Sequence, residues 1–434
     1  MGVNKFKSVL KKSSIYLFAN ILGAGATFIL IPILTRKLSP DEYGQVAVFQ
    51  SLLGLIVSLV GFGVVGSTSR KYFDQDAGPD ELKKYIGGCI LIITCSSLTL
   101  LILGLLFSSY IKTTTSIGSA LFFGIILAGL ATALIQIRLS QWQVRGEAIL
   151  YGVMQATQTI SILFATILAV LVFDCGAAGR IYSQVGVTVL LGVISCWHLT
   201  KNELVSFCLY RFDLIKEALR FGIGILPHSL SGFLMGPADR IVISQFIGVA
   251  DAGIYLITFQ VASVMSILVE AFMKSYVPYL WGKLKAGEPG DKIKAVRFFY
   301  LCLLLLCFLV VVVKVFGKNI TVLMVDGRYK GIGDNIDLLF LGQSLNAMHF
   351  LVSTYIFYSK RTEVLSVISM ICGISNMLMM PMLLKQFGSR GAAYSYCIAN
   401  LVQFLATWYA ANRVQPMPWF SRSIVDGLTK GTKE

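Results

Sequence analysis

Residues 85–108 read YIGGCILIITCSSLTLLILGLLFS, twenty-four positions without one charged side chain. A helix rises 1.5 Å per residue and a bilayer's hydrocarbon core is roughly 30 Å thick, so about 20 such residues span it. In that solvent every backbone N–H and C=O must be paired within the protein, which a helix achieves alone. Working outward, similar runs lie near 13–34, 44–66, 117–138, 148–172 and 178–199. After a polar break they resume near 218–247, 252–277, 295–316, 335–358, 363–384 and 391–411. The pattern predicts an all-α integral membrane protein of about 12 transmembrane helices. The run at 218–247 holds Pro227 and Pro237, so a kink is expected there.

Composition agrees. Apolar residues make up 56% of the chain and charged residues only 14%, too few to cover a water-soluble body of 434 residues. The net charge of +15 does not form a basic face suited to nucleic acid; it is dispersed in short clusters between the apolar runs. Counted by alternate loops with the N-terminus inside, roughly 25 of the 37 Lys and Arg residues fall on one side. That side holds Lys5, Lys7, Lys11 and Lys12, then Arg70, Lys71, Lys83 and Lys84, then Lys201, Arg211 and Lys216. Both termini are therefore expected in the cytoplasm. The first apolar run is too long for a signal-peptide core and is expected to stay as a signal anchor. The nine cysteines form no CxxC or Cys/His pattern, so neither metal nor disulfide is expected.

The chain also repeats itself. Leu38–Gly44 (LSPDEYG), leading to Phe49-Gln50, has a counterpart in Ile247–Gly253 (IGVADAG), leading to Phe259-Gln260. Gly176, Gly179, Tyr182 and Ser183 share their spacing with Gly388, Gly391, Tyr394 and Ser395. The offset is about 210 residues, half the chain and about six spans, so both halves enter the membrane from the same side. Two six-helix bundles in a parallel pseudo-two-fold repeat are expected, 1–210 and 211–413, followed by a cytoplasmic tail, 414–434.

These residues resemble a known family. A basic arm leads to Ser13-Ser14-Ile15-Tyr16, Asn20, Pro32 and Leu34-Thr35-Arg36, then the LSPDEYG motif; the second half opens with Phe221-Gly222, Leu226-Pro227 and Asp239-Arg240. The layout is similar to the Wzx-type O-antigen or polysaccharide repeat-unit flippases of the multidrug/oligosaccharidyl-lipid/polysaccharide exporter superfamily, with its MATE-like fold. The resemblance implies a bacterial inner-membrane transporter. It implies flipping of an undecaprenyl-pyrophosphate-linked oligosaccharide from the cytoplasmic to the periplasmic leaflet by alternating access. A proton or Na+ gradient takes the place of a cofactor, and a polysaccharide polymerase and a chain-length regulator are the implied protein partners.

Such a substrate needs fixed cations for its phosphates, and an arginine fork matches phosphate oxygens well. A charge inside a span is costly and marks a functional candidate. Arg240, Arg70, Arg220, Arg180, Arg138 and Lys274 are therefore the candidate substrate-binding residues, and Asp239, Glu270 and His228 the ion-coupling candidates. The structural alternatives are plain. Asp239-Arg240 also suits a packing lock, Glu270 and Lys274 a snorkelling i,i+4 pair, His228 a hydrogen-bonded imidazole, and Arg70, Arg138, Arg180 and Arg220 interfacial anchors.

Two other functions stay open on the sequence. A MATE-like drug/cation antiporter calls for an acidic cavity, whereas the in-span charges here are mostly positive. A membrane glycosyltransferase or polymerase calls for a paired-carboxylate site, and Asp41-Glu42 is its nearest approach. The repeat partner near Asp251 makes that pair a shared turn instead.

Overall fold

The computed structural model describes residues 3–74, 78–109, 118–207, 211–286, 289–359 and 361–419. Among the described residues the regular structure is helical: α1 (Val3–Lys37), α2 (Pro40–Gly61), α3 (Val64–Tyr72), α4 (Pro79–Leu106), α5 (Ser119–Arg145), α6 (Ala148–Ile167) and α7 (Gly176–Lys201). Then follow α8 (Phe212–Leu234), α9 (Ala238–Phe246), α10 (Val249–Ala262), α11 (Val264–Ala286) and α12 (Pro289–Met324). The last three are α13 (Ile336–Tyr358), α14 (Thr362–Phe387) and α15 (Ser389–Val414). Helix α6 runs on through a π-helical stretch, Leu168–Val172.

The all-α membrane class expected from the sequence is what the structure has. Nine helical stretches among the described residues are long and apolar enough to cross a membrane, against the twelve runs read from the sequence. The shortfall has physical causes. The run at 218–247 is not one helix: it breaks at residues 235–237 into α8 and α9, with Pro237 capping α9, while Pro227 is accommodated inside α8. Helices α13 and α15 carry too many polar residues, and these face inward: Gln343, Ser344, His349, Asn400, Gln403 and Thr407 are all buried.

By contrast, large apolar side chains such as Leu98, Ile102, Phe308, Val311 and Val315 are exposed, as a lipid-facing surface requires. Helix α12 and the span of α6 with its π-helical extension are the least covered, with only 11% of the most apolar window of each buried.

The chain forms two compact units, Met1–Leu256 with Val325–Tyr329, and Ile257–Met324 with Lys330–Glu434. In the first unit, Ser39 starts α2 with a capping box. The Ser39 backbone N–H donates to Glu42 Oε2 at 2.8 Å, and the Glu42 N–H donates to Ser39 Oγ at 3.3 Å. The Tyr329 hydroxyl donates to the carbonyl of Leu38 at 3.0 Å, fastening the short Val325–Tyr329 segment to the same turn. The two copies of the turn motif meet there. A Cβ on Gly253 would lie 2.6 Å from the Gly44 nitrogen and 2.8 Å from the Pro40 carbonyl oxygen, and a Cβ on Gly44 would collide with the Val249 carbonyl.

The other repeated motif builds the same local structure in each unit separately. Gly176 opens α7 at φ +56° and Gly388 opens α15 at φ +59°, a left-handed backbone suited to glycine. Three residues on, Gly179 sits against Cys175 and Ala169, and Gly391 against the backbone of Leu383 and Leu384. The Ser183 hydroxyl donates to the Ala165 carbonyl at 3.0 Å, and the Ser395 hydroxyl lies 3.2 Å from the Asn376 carbonyl oxygen.

Candidate functional site

Helix α3 is short because the chain bends sharply before it. Phe62 (φ 42°) and Gly63 (φ +67°) both adopt left-handed backbone between α2 and α3. Gly222 of α8 packs into that bend: a Cβ on Gly222 would collide with the Phe62 carbonyl, and one on Gly63 would lie 3.0 Å from the Gly222 carbonyl oxygen. The close crossing brings one face of each helix together. Ser67, Arg70 and Lys71 stand at i, i+3 and i+4 on α3, as do Glu217, Arg220 and Phe221 on α8.

Between them lies a cavity of about 380 Å³, lined by Ser67, Arg70, Lys71, Asp74, Glu217 and Arg220 together with two aromatic rings. One ring, Phe221, lies 5.3 Å from the Arg70 guanidinium carbon, and the other, Tyr85, lies 5.5 Å from Lys71 Nζ. Lys71 is buried, at 8% exposure, and is held by three carboxylates. Its Nζ is 3.1 Å from Glu81 of α4, 3.1 Å from Glu217 of α8 and 3.5 Å from Asp74. Burial alone would push the Lys71 pKa down. Its hydrogen bonds to Glu81 and Glu217, and the charges of both, more than offset that, so the pKa stands raised above the ordinary 10.5.

Arg70 and Arg220 form no ion pair with any described residue. The cavity therefore presents two uncommitted guanidiniums beside a neutralised lysine. A second cavity of about 340 Å³ shares Lys71 and is lined by Lys83, Arg145 and Glu203 as well.

Of the residues singled out by sequence, Arg70 and Arg220 are thus brought together. Arg138, Arg180, His228, Asp239 and Arg240 of the same unit do not line that cavity. Arg138 is buried in α5, its guanidinium carbon 4.1 Å from the centre of the Trp142 ring. Arg180 is buried in α7, where it donates from Nη1 to Thr166 Oγ1 at 3.5 Å. Asp239 and Arg240 are buried at the start of α9. Asp239 Oδ2 accepts from the Tyr255 hydroxyl at 3.0 Å, and the Arg240 guanidinium carbon is 5.9 Å from the same ring.

His228 is exposed on α8 and Glu270 is exposed on α11, and the side chain of Lys274 lies outside the described residues. Of the expected tail, residues 420–434 are also outside them.

The sequence reading missed Lys71, Asp74, Glu81 and Glu217 as site residues. A usable signal existed: an acidic residue one turn before Arg220, facing a helix with a Ser-x-x-Arg-Lys face. It also missed a buried polar network in the second unit. There His349 Nδ1 lies 3.0 Å from Thr407 Oγ1, Gln403 donates to Ser369 at 3.0 Å, Ser395 donates to Asn376 Oδ1 at 2.6 Å, and Ser266 donates to Gln343.

Residues 9–281 match the family model described as "Polysaccharide biosynthesis protein", well over half the chain and all of the cavity. The chain belongs to that family. The resemblance to Wzx-type flippases seen in its motifs holds with it. Among relatives, an "Uncharacterized membrane protein" of Haemophilus influenzae is 27% identical over 84% of this chain and 87% of its own length. A Haloferax volcanii protein named "Probable low-salt glycan biosynthesis flippase Agl15" is 24% identical over 62% of this chain and 55% of its own length. Among solved structures, an inward-facing multidrug resistance MATE family transporter of the MOP superfamily superposes with a TM-score of 0.71. It covers 96% of each chain at 12% identity, which shows a shared fold. This member of the polysaccharide biosynthesis family thus joins at least nine membrane-length apolar helices among its described residues to the fold of the MATE structures.

Proposed function

We propose that the chain flips an undecaprenyl-pyrophosphate-linked O-antigen or polysaccharide repeat unit across the bacterial inner membrane, and that the Arg70–Arg220 cavity receives the diphosphate headgroup. The observation that carries this reading is the pair of guanidiniums, without a carboxylate partner among the described residues, lining a cavity in a member of the polysaccharide biosynthesis family. Bidentate donation from two arginines offsets the desolvation of a phosphate, while the polyprenyl tail stays in lipid. With both termini in the cytoplasm, the Lys/Arg bias puts this mouth on the side where lipid-linked repeat units are made.

Movement follows alternating access of two six-helix bundles, 1–210 and 211–413, with proton or Na+ coupling. Arg240, Arg180, Arg138 and Lys274 are assigned to later stations of the headgroup or glycan. Asp239, Glu270 and His228 are assigned to coupling, and a polymerase and a chain-length regulator take up the product.

The drug-antiporter reading draws on the carboxylates of the cavity, yet Asp74 and Glu217 are both engaged with Lys71. A deletion strain decides between them. The flippase reading expects lipid-linked single repeat units to accumulate on the cytoplasmic face, with restoration by the wild-type chain. Normal export of glycan in the deletion strain overturns it.

A further inference from the structure

The charges of the cavity pose a problem for an anionic ligand. Three cations line it, but Asp74 and Glu217 line it too, leaving a net charge of one. Of the three carboxylates on Lys71, only Glu217 combines a place in the cavity wall with a helix other than that of the lysine. Asp74 sits three residues from Lys71 and moves with it, and Glu81 holds Lys71 from α4, outside the cavity wall. Glu217 is also half-exposed, so its carboxylate reaches water without crossing a buried region.

We propose that Glu217 is a displaceable counter-ion: it occupies Lys71 in the empty cavity, swings to water when a diphosphate arrives, and reclaims Lys71 to expel it. This rests on the cavity being the headgroup site. The exchange leaves the ammonium paired throughout, since Glu81 and Asp74 stay in place and a phosphate oxygen takes the position of one carboxylate. Glu217 thereby holds affinity down. A site that bound the diphosphate as tightly as three free cations allow would not let it go, and differential binding between states is what drives turnover. The tie also spans α3 and α8, so its release frees one helix from the other at the moment of loading.

The test measures farnesyl diphosphate binding to the full-length chain in detergent by calorimetry, with thermal stability recorded alongside. Glu217→Gln and Glu217→Ala are expected to bind about ten-fold tighter than wild type, equivalent to about 1.4 kcal/mol, with melting within a few degrees of it. Glu81→Gln is expected to bind no tighter. A purely structural Glu217 would give the opposite sign, weaker binding and lower stability, and either that result or unchanged affinity overturns the proposal. Failure of both Glu217 variants to yield folded protein overturns it equally, by making the residue a structural pin. The double variant Arg70→Ala/Arg220→Ala separates the layers. If it loses binding while the Glu217 variants do not tighten it, only the counter-ion role fails; if it binds like wild type, the headgroup site itself fails.

Discussion

Gly44 and Gly253, equivalent positions of the two turn motifs, pack directly against each other, with 2.6 Å between the Gly44 nitrogen and the place a Gly253 Cβ would occupy. The two turn motifs therefore touch each other at this point, and neither glycine has room for a side chain. Because the obstructing atoms are backbone, no rotamer change relieves the clash. Gly44→Ala or Gly253→Ala is expected to cost about 1–3 kcal/mol through overpacking. Melting of the detergent-solubilised protein checks this, with Gly25→Ala, at an open site, as the neutral control. Equal melting in all three would show that the contact yields.

The paired guanidiniums give a second expectation. Loss of a charge-assisted hydrogen bond costs about 1.5–3 kcal/mol, so Arg70→Ala or Arg220→Ala should weaken diphosphate binding by about ten- to hundred-fold. Glycan export in a complemented deletion strain should fall accordingly, while membrane insertion is unchanged. Arg70→Lys should restore only part, since an ammonium lacks the planar fork.

Lys71 makes a prediction about pH. Its pKa is raised in the folded protein, so its contribution to stability is fully present below the ordinary value of 10.5 and is lost only as pH climbs through the higher folded value. The stability difference between wild type and Lys71→Met, about 1–2 kcal/mol given the partly exposed carboxylates, should therefore stay level from about pH 6 to 9. Chemical unfolding at several pH values tests it. A difference that shrinks across that window would mean the ammonium is titrating there.

Asp239 is fully buried and accepts from the Tyr255 hydroxyl. Tyr255→Phe removes one donor from a buried carboxylate and is expected to cost about 1–3 kcal/mol. Should Asp239 also couple transport to an ion, the same variant would shift the pH dependence of export. A variant that lost stability but kept the wild-type pH profile would leave Asp239 as a packing residue alone.

Much of the fold was legible because the membrane imposes its own rules. An uncharged run such as 85–108 has one structural solution in lipid, and the repeated glycines announce special backbone at Gly176 and Gly388 and close approaches at Gly179 and Gly391. The runs around α13 and α15 were read as spans on length, but their buried Gln343, His349 and Gln403 serve an internal network that apolarity alone does not reveal.

At the site, Arg70 and Arg220 were picked out as charges near span ends, and the structure joins them. Their junction depends on Gly222 fitting the Phe62-Gly63 bend, a contact between residues far apart in sequence. Lys71 was passed over because a lysine at a helix end ordinarily reaches water. Its burial follows from carboxylates on two other helices, Glu81 and Glu217, converging on it.

Helix α12 carries a mechanical consequence. Its 36 residues make a rod of about 54 Å, against a hydrocarbon slab of roughly 30 Å. A rod so little braced by neighbours must lean far from the bilayer normal or stand proud of it. Its far end is braced, with Lys318 paired to Asp334 at 2.7 Å and Thr321 buried, so any excess length falls at the opposite, lysine-rich opening turns around Lys292 and Lys294.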